Sequence, residues 1–411
     1  MKISDIEVIN LRFAYPEENG FQYAGGYCTG RLTSLVRVTT DSGVVGIGSV
    51  YSHPEMVRTV VEGQLRELLL GRDPLETESI WEQCYKVTRW YGRKGVAMSA
   101  LGGIDTALWD IRGKAAGKPL YQLLGAQRHS VGVYASGLLW KDDVSELREE
   151  VALYIKNGFR GAKTRLGRDY DYDHAAVRVL REALGPDRRL MIDGNGRYSL
   201  AQAERLLPEF QKADIYWLEE PFVPEAVDDY LALRPSLGKI PLAAGENDFG
   251  VQGFRELMDR KMVDIVQPDC CRAGGVTECH RIGLMASEKG LKVATHTWSD
   301  AVALVSNMHL IASLPTGVTV EMDQTGNPFI DDLLVDKLQV VDGELQLPQR
   351  PGLGIELNEE VVDRYTIPAN EPIPEGNYAD MVFGRDYYGP AGPYEADESV
   401  LDTGVDPVHQ S

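Results

Sequence analysis

Seven places in the chain carry an ionisable residue at nearly regular intervals. Lys163 comes first, with Arg165 two residues on. Asp193, Glu219, Glu246, Asp269, His296 and Glu321 follow Lys163 at steps of 30, 26, 27, 23, 27 and 25 residues. Each step is close to the length of one βα unit. Asp193, Glu219 and Glu246 are consecutive carboxylates which, brought to one point, would repel one another and raise their own pKa values. A hard divalent cation such as Mg²⁺, which takes oxygen ligands and keeps positions open for substrate, removes that conflict. Asp269 and His296 fall on neighbouring steps, so the carboxylate could hold one ring nitrogen and raise the basicity of the other. In GAKTRLG, Lys163 and Arg165 alternate and so share one strand face. A divalent ion, fixed cations and an acid–base pair together suit removal of a proton beside a carboxylate. That step makes an enediolate whose charge must be met locally.

The elements that would position these residues are short β-rich runs alternating with helical patterns. From residue 130 the chain reads SVGVYASG, FRGAKTRLG, RLMIDGNG, DIYWLEEP, IPLAAGE, MVDIVQPD, KVATHTW and VTVEMD, each of the first seven followed by a helical stretch. Eight strands and seven helices make a TIM-like (β/α)7β barrel of the α/β class, with its site at the C-terminal strand ends, where the ionisable residues fall. A doubly wound sheet would place a Gly-rich phosphate loop after an early strand, and neither GxGxxG nor GxxxxGK[ST] occurs. In the helix SLAQAERLLPEFQKA, apolar Ala203, Leu206, Leu207 and Phe210 share a face and Pro208 is expected to kink it.

Four segments follow: residues 1–125 as an N-terminal α+β capping domain, 126–330 as the barrel, 331–365 as a return segment packing on the cap, and 366–411 as an arm or tail rich in Pro, Gly, Tyr and acids. The Gly/Tyr-rich stretch FAYPEENGFQYAGGYCTGR reads as a long loop of the cap. Loops at 13–31 and 49–56 would then face the far end of a substrate, with Tyr23, Tyr27, Tyr51 and His53 as candidate contacts and Arg31 as the candidate cation for a second carboxylate. Asn195, in MIDGNG, joins the candidate substrate contacts.

Composition sets outer bounds. Of 411 residues, 43% are hydrophobic and 25% charged, as in a globular protein, and the net charge of −20 argues against nucleic acid or an anionic membrane as partner. Five cysteines without a CxxC pair read as free thiols of a cytoplasmic protein. An anionic substrate would therefore need the local cations at residues 163 and 165.

Over roughly residues 1–360 the chain resembles the enolase superfamily, and within it the mandelate racemase subgroup, through ALGGIDTALWDIRGKAAGKPLYQLLG, MIDGNG, WLEEPF, AAGEN, DIVQPDCCRAGGVTE and THTW. The resemblance implies one Mg²⁺ per subunit on Asp193, Glu219 and Glu246, with Glu219 rather than Glu220 as the ligand. It implies a His296–Asp269 dyad, Glu321 and Lys163 at the substrate carboxylate, and a homo-oligomer. The racemase pattern is Lys-x-Lys, its second lysine a base; here Arg165, which stays protonated, stands there. That departure argues against racemisation and for dehydration of an aldonate (xylonate, arabinonate, gluconate or rhamnonate) to a 2-keto-3-deoxy acid through His296. A sugar-acid cycloisomerase or epimerase is the alternative, and a non-catalytic sugar-acid-binding barrel is the alternative of another class.

Overall fold

The computed structural model describes residues 1–16, 19–24, 26–373 and 380–382. The cap begins with four strands, β1 (Ile3–Ala14), β2 (Phe21–Tyr23), β3 (Gly26–Thr40) and β4 (Val45–Val50), in which β3 pairs antiparallel with the other three. The stretch read as one long loop is thus largely sheet. Its glycines and broken alternation hide a hairpin whose inward residues are Tyr23 and Cys28. Helical segments Pro54–Leu69, Thr77–Thr88 and Val96–Ala116 pack on the sheet.

The last of these helices is buried along most of its length and joins cap to barrel. It lies on β4 without an intervening layer of side chains: a Cβ added at Gly48 would sit 2.0 Å from the Gly103 carbonyl oxygen, and one at Gly46 2.1 Å from that of Ala107. On its barrel side, Trp109 Nε1 donates to Thr277 Oγ1 (2.8 Å) and Asp105 accepts from the Thr277 hydroxyl (2.6 Å) and amide (2.8 Å).

Eight parallel strands close the barrel in chain order: β5 (Ser130–Ser136), β6 (Gly161–Arg165), β7 (Arg189–Asp193), β8 (Trp217–Glu219), β9 (Leu242–Ala244), β10 (Ile265–Val266), β11 (Lys292–Thr295) and β12 (Gly317–Asp323), with β12 paired to β5. Seven helical connections lie outside, from Leu147–Lys156 to Ala301–Ser313. The helix Leu200–Lys212 runs through Pro208 and starts from a capping box in which Ser199 and Gln202 satisfy each other's backbone amides. Inside the barrel, Tyr134, Met191, Trp217, Ala243, Ile265 and Ala294 form a separate buried apolar cluster. Because side chains alternate along a strand, residues two further on, such as Asp193 and Glu219, project from the same face one layer higher. That alternation lays an apolar floor beneath the charged residues.

After the barrel the chain does not go straight to the cap. β13 (Val340–Val341) and β14 (Glu344–Gln346) form a hairpin, and β14 pairs antiparallel with β5 of the barrel. Contact with the long cap helix follows, through Leu353 N on Asp110 Oδ1 (2.8 Å). A last strand, β15 (Asp380–Val382), adds to β3 of the cap. The remainder of the expected tail, residues 374–379 and 383–411, lies outside the described residues. No described helix is long and apolar enough to cross a membrane.

Candidate active site

Strand register brings the spaced residues abreast. Arg165 pairs with Asp193 across β6 and β7, and Asp193 with Glu219 across β7 and β8. Glu246 follows β9, Asp269 follows β10, His296 follows β11 and Glu321 sits in β12. All of these except Glu246 are buried, and Glu246 is 14% exposed. Carboxylate oxygens of Asp193, Glu219 and Glu246 lie within 4.8 Å of one another.

Lys163 Nζ stands among them, 2.5 Å from Glu219 Oε1, 3.0 Å from Glu321 Oε1 and 3.3 Å from Asp193 Oδ2. Trp217 Nε1 donates to the other oxygen of Glu219 (2.9 Å). Burial raises the pKa of Glu219 to about 8 and also lifts Asp193, in each case against the pull of Lys163. Burial likewise works against the charge of Lys163, but Glu219 and Glu321 outweigh it and hold the ammonium protonated. Glu321 goes the other way: the cations Lys163, His296 and Arg165 overcome burial and bring it to about 2. More carboxylates than cations converge here, and Glu246 Oε2 is buried without a hydrogen-bond partner among the described residues. Three oxygen donors within reach of one point, with negative charge in excess, fit a hard divalent cation on Asp193, Glu219 and Glu246.

His296 forms the opposite flank. Its Nδ1 is 2.9 Å from Asp269 Oδ2; a carboxylate can only accept, so Nδ1 donates and Nε2 is the nitrogen left for proton transfer. Asp269 is fixed in turn by the Cys271 amide (2.9 Å) and Asn307 Nδ2 (3.1 Å), and Asn307 Nδ2 also reaches the His296 carbonyl (2.9 Å). Burial alone would lower the His296 pKa; Glu246, Asp269 and Glu321 reverse that and raise it to about 9. The Tyr51 ring and the imidazole meet in a T-shaped contact, 5.3 Å between centroids. Asn307 escaped the sequence reading, since an Asn inside an otherwise apolar helix gives no periodic signal.

Arg165 is 4% exposed, 3.8 Å from Asp193 Oδ2, and lies 3.7 Å above the Trp298 ring. Its Nε and Nη1 have no hydrogen-bond partner among the described residues. Asp193 and its neighbours overcome burial and raise its pKa above the usual arginine value. Asn195 is in the left-handed region (φ 44°), where its amide and Nδ2 both bond Asp193 and its Oδ1 has no partner among the described residues.

The cap candidates fare unequally. His53 Nδ1 is buried without a hydrogen-bond partner among the described residues. The Tyr23 hydroxyl is taken by Asp380 Oδ2 (2.7 Å), so Tyr23 meets the site through its ring, 5.7 Å from the Arg165 guanidinium. Arg31 is not available to a second substrate carboxylate: it is fully buried and neutralised by Asp323 (2.6 Å) and Asp380.

Family comparison agrees with this architecture. Residues 7–125 match the mandelate racemase/muconate lactonizing enzyme N-terminal domain, and residues 146–361 match the enolase C-terminal domain-like family. The chain belongs to the mandelate racemase group of the enolase superfamily. Among curated members, the D-galactarolactone cycloisomerase of Agrobacterium fabrum is 35% identical over 82% of this chain and 92% of its own length. The arabinonate dehydratase of Saccharolobus solfataricus is 34% identical over 80% and 89%. Among solved superfamily structures, the 3,6-anhydro-D-galactonate cycloisomerase of Zobellia galactanivorans superposes with a TM-score of 0.82 at 33% identity, covering 90% of this chain and 100% of that one. The L-talarate dehydratase of Polaromonas sp. JS666, complexed with Mg and L-glucarate, gives 0.79 at 26%, covering 89% and 98%. Dehydratases and cycloisomerases of sugar acids thus stand at similar distance from this superfamily member.

Proposed function

We propose that this enzyme is a Mg²⁺-dependent dehydratase of aldonates that yields a 2-keto-3-deoxy acid. The observation that carries the reading is the asymmetry of the mouth. One flank holds a carboxylate-oriented imidazole, and the other holds two cations, of which Arg165 occupies the place where a two-base racemase of this superfamily has lysine.

His296 Nε2 takes the proton from the carbon next to the substrate carboxylate, while Asp269 holds the imidazolium that forms. Lys163 and Arg165 face the enediolate and offer charge where it develops, and Glu321 sets the position of Lys163. The imidazolium then returns its proton to the 3-hydroxyl as the C–O bond breaks. Water leaves, and the enol so formed tautomerises to the 2-keto acid. Mg²⁺ on Asp193, Glu219 and Glu246 would supply Lewis-acid stabilisation of that charge. The related arabinonate dehydratase and the L-talarate dehydratase complexed with Mg support the class and the ion. Burial of Arg31 against two carboxylates supports a substrate with a single carboxylate.

Cycloisomerisation is the second reading, favoured by the 35% identical D-galactarolactone cycloisomerase. Incubating xylonate, arabinonate, gluconate and rhamnonate with enzyme and Mg²⁺ in D₂O tests both. The expected product has lost one water. A product of unchanged mass would establish isomerisation instead, and absence of deuterium exchange across the panel, extended to sugar lactones, would leave a binding barrel.

A further inference from the structure

Asp380 lies far outside the residues matched by the family models, yet it is completely buried beside the mouth. It enters on β15, where it pairs in register with Arg31 of β3. Its carboxylate is shared among three groups: it accepts from Tyr23 OH (2.7 Å), from Trp298 Nε1 (3.2 Å to each oxygen) and from Arg31 Nη1. Arg31 Nη2 donates to the Trp298 carbonyl (2.6 Å), and its guanidinium lies 4.5 Å from the centroid of the same indole that carries Arg165.

We propose that Asp380 is a positioning residue of the active site: through Arg31 and Trp298 it fixes the indole on which Arg165 rests, and so aims Arg165 at the substrate. The inference rests on the proposed role of Arg165 at the substrate. Its physical basis is what Arg165 would otherwise do. With Asp193 3.8 Å away and Nε and Nη1 unpaired among the described residues, the guanidinium has a stronger partner within reach. A bidentate bond to Asp193 would turn Arg165 from the substrate and occupy a carboxylate assigned to Mg²⁺. The indole face holds it back from that bond. Without Asp380, Trp298 Nε1 would be buried without an acceptor and Arg31 would keep only Asp323 as a carboxylate partner, so the indole would no longer have a unique place.

The test compares Asp380→Ala, Asp380→Asn and, as a control in the same arm, Glu371→Ala, whose carboxylate pairs with Arg12 at the half-exposed edge of the cap. Steady-state kinetics on the aldonate turned over would show kcat/KM reduced about 100-fold in Asp380→Ala, the loss that misplacement by about an ångström can cause. Asp380→Asn, which keeps an acceptor but no charge, would fall between, and Glu371→Ala would stay within about twofold of wild type. The fluorescence component removed by Trp298→Phe would shift in Asp380→Ala and not in Glu371→Ala. If Asp380→Ala lowers the melting temperature but leaves kcat, KM and the Trp298 signal as in wild type, Asp380 only pins the arm and the proposal fails. Should wild type turn over no aldonate, the dehydratase reading fails separately, and the Trp298 signal still decides whether Asp380 sets the indole.

Discussion

His296 at the barrel mouth and His309 in the helix just behind it are both buried, yet one is raised to about 9 and the other lowered to about 4. Burial pushes both in the same direction, towards the neutral ring. The neighbours separate them. Around His296 stand Glu246, Asp269 and Glu321. His309 meets only peptide groups: Nδ1 accepts from the Tyr121 amide (3.1 Å) and Nε2 donates to the Leu353 carbonyl (3.0 Å), with the Tyr121 ring stacked alongside. Both of its nitrogens are spent on the fold. His296 spends one and keeps one for chemistry.

Four measurements would break or sharpen that contrast. His296→Asn is expected to slow exchange of the α-proton in D₂O by about a thousandfold, within the usual range for a general base, while calorimetry shows Mg²⁺ binding retained. Undiminished exchange would remove His296 from its role. His309 should act on stability instead. Between about 4 and 6.5 the unfolded chain takes up a proton that the folded site refuses, so its contribution is complete above 6.5 and lost as pH falls towards 4. The shift corresponds to about 3 kcal/mol. Urea unfolding from pH 7 to pH 4 should show that loss, with the component flattened in His309→Gln.

Next in size comes the ion. Mg²⁺ at 100 times its dissociation constant should stabilise the protein by about 2.7 kcal/mol, read from thermal unfolding, with the increment absent in Asp193→Asn. The smallest change expected is in Arg165→Lys, with turnover down about tenfold because a forked donor is replaced by a point charge. NMR of recovered substrate should show some inversion at the α-carbon, since the cationic flank would regain a titratable base. Unchanged turnover would mean that Arg165 does not touch the substrate.

Much of the mouth was legible because every barrel strand from the second to the eighth ends in at least one ionisable residue and the unit length is nearly constant. Spacing brought the three carboxylates and the Asp269–His296 pair to notice, and the family resemblance chose Glu219 over its neighbour Glu220. What surrounds them did not follow from any period. Arg31 meets Asp323 and Asp380 across 292 and 349 residues of chain, and a pairing so remote leaves no local trace in the sequence. Read as a cap-loop cation, Arg31 looked like a partner for substrate; as part of a buried ion cluster it serves the fold. The Tyr/Gly-rich run before it hid its strands for a related reason, since β15, which borders β3 there, comes from the far end of the chain. Trp298 lies two residues beyond His296 and could be noticed as an aromatic at a strand end, but only geometry assigns it to Arg165.

The contact between β4 and the helix Val96–Ala116 also governs how substrate enters. Backbone rests on backbone there, with Gly46 and Gly48 leaving no cushion of side chains to slide or tilt on. Bonds from Asp105 and Trp109 fasten the same helix to the barrel. A cap riveted along its spine cannot swing as one plate. Any change in the mouth's opening is then confined to its rim, where the Tyr51 ring meets His296 and the Tyr23 ring lies near Arg165.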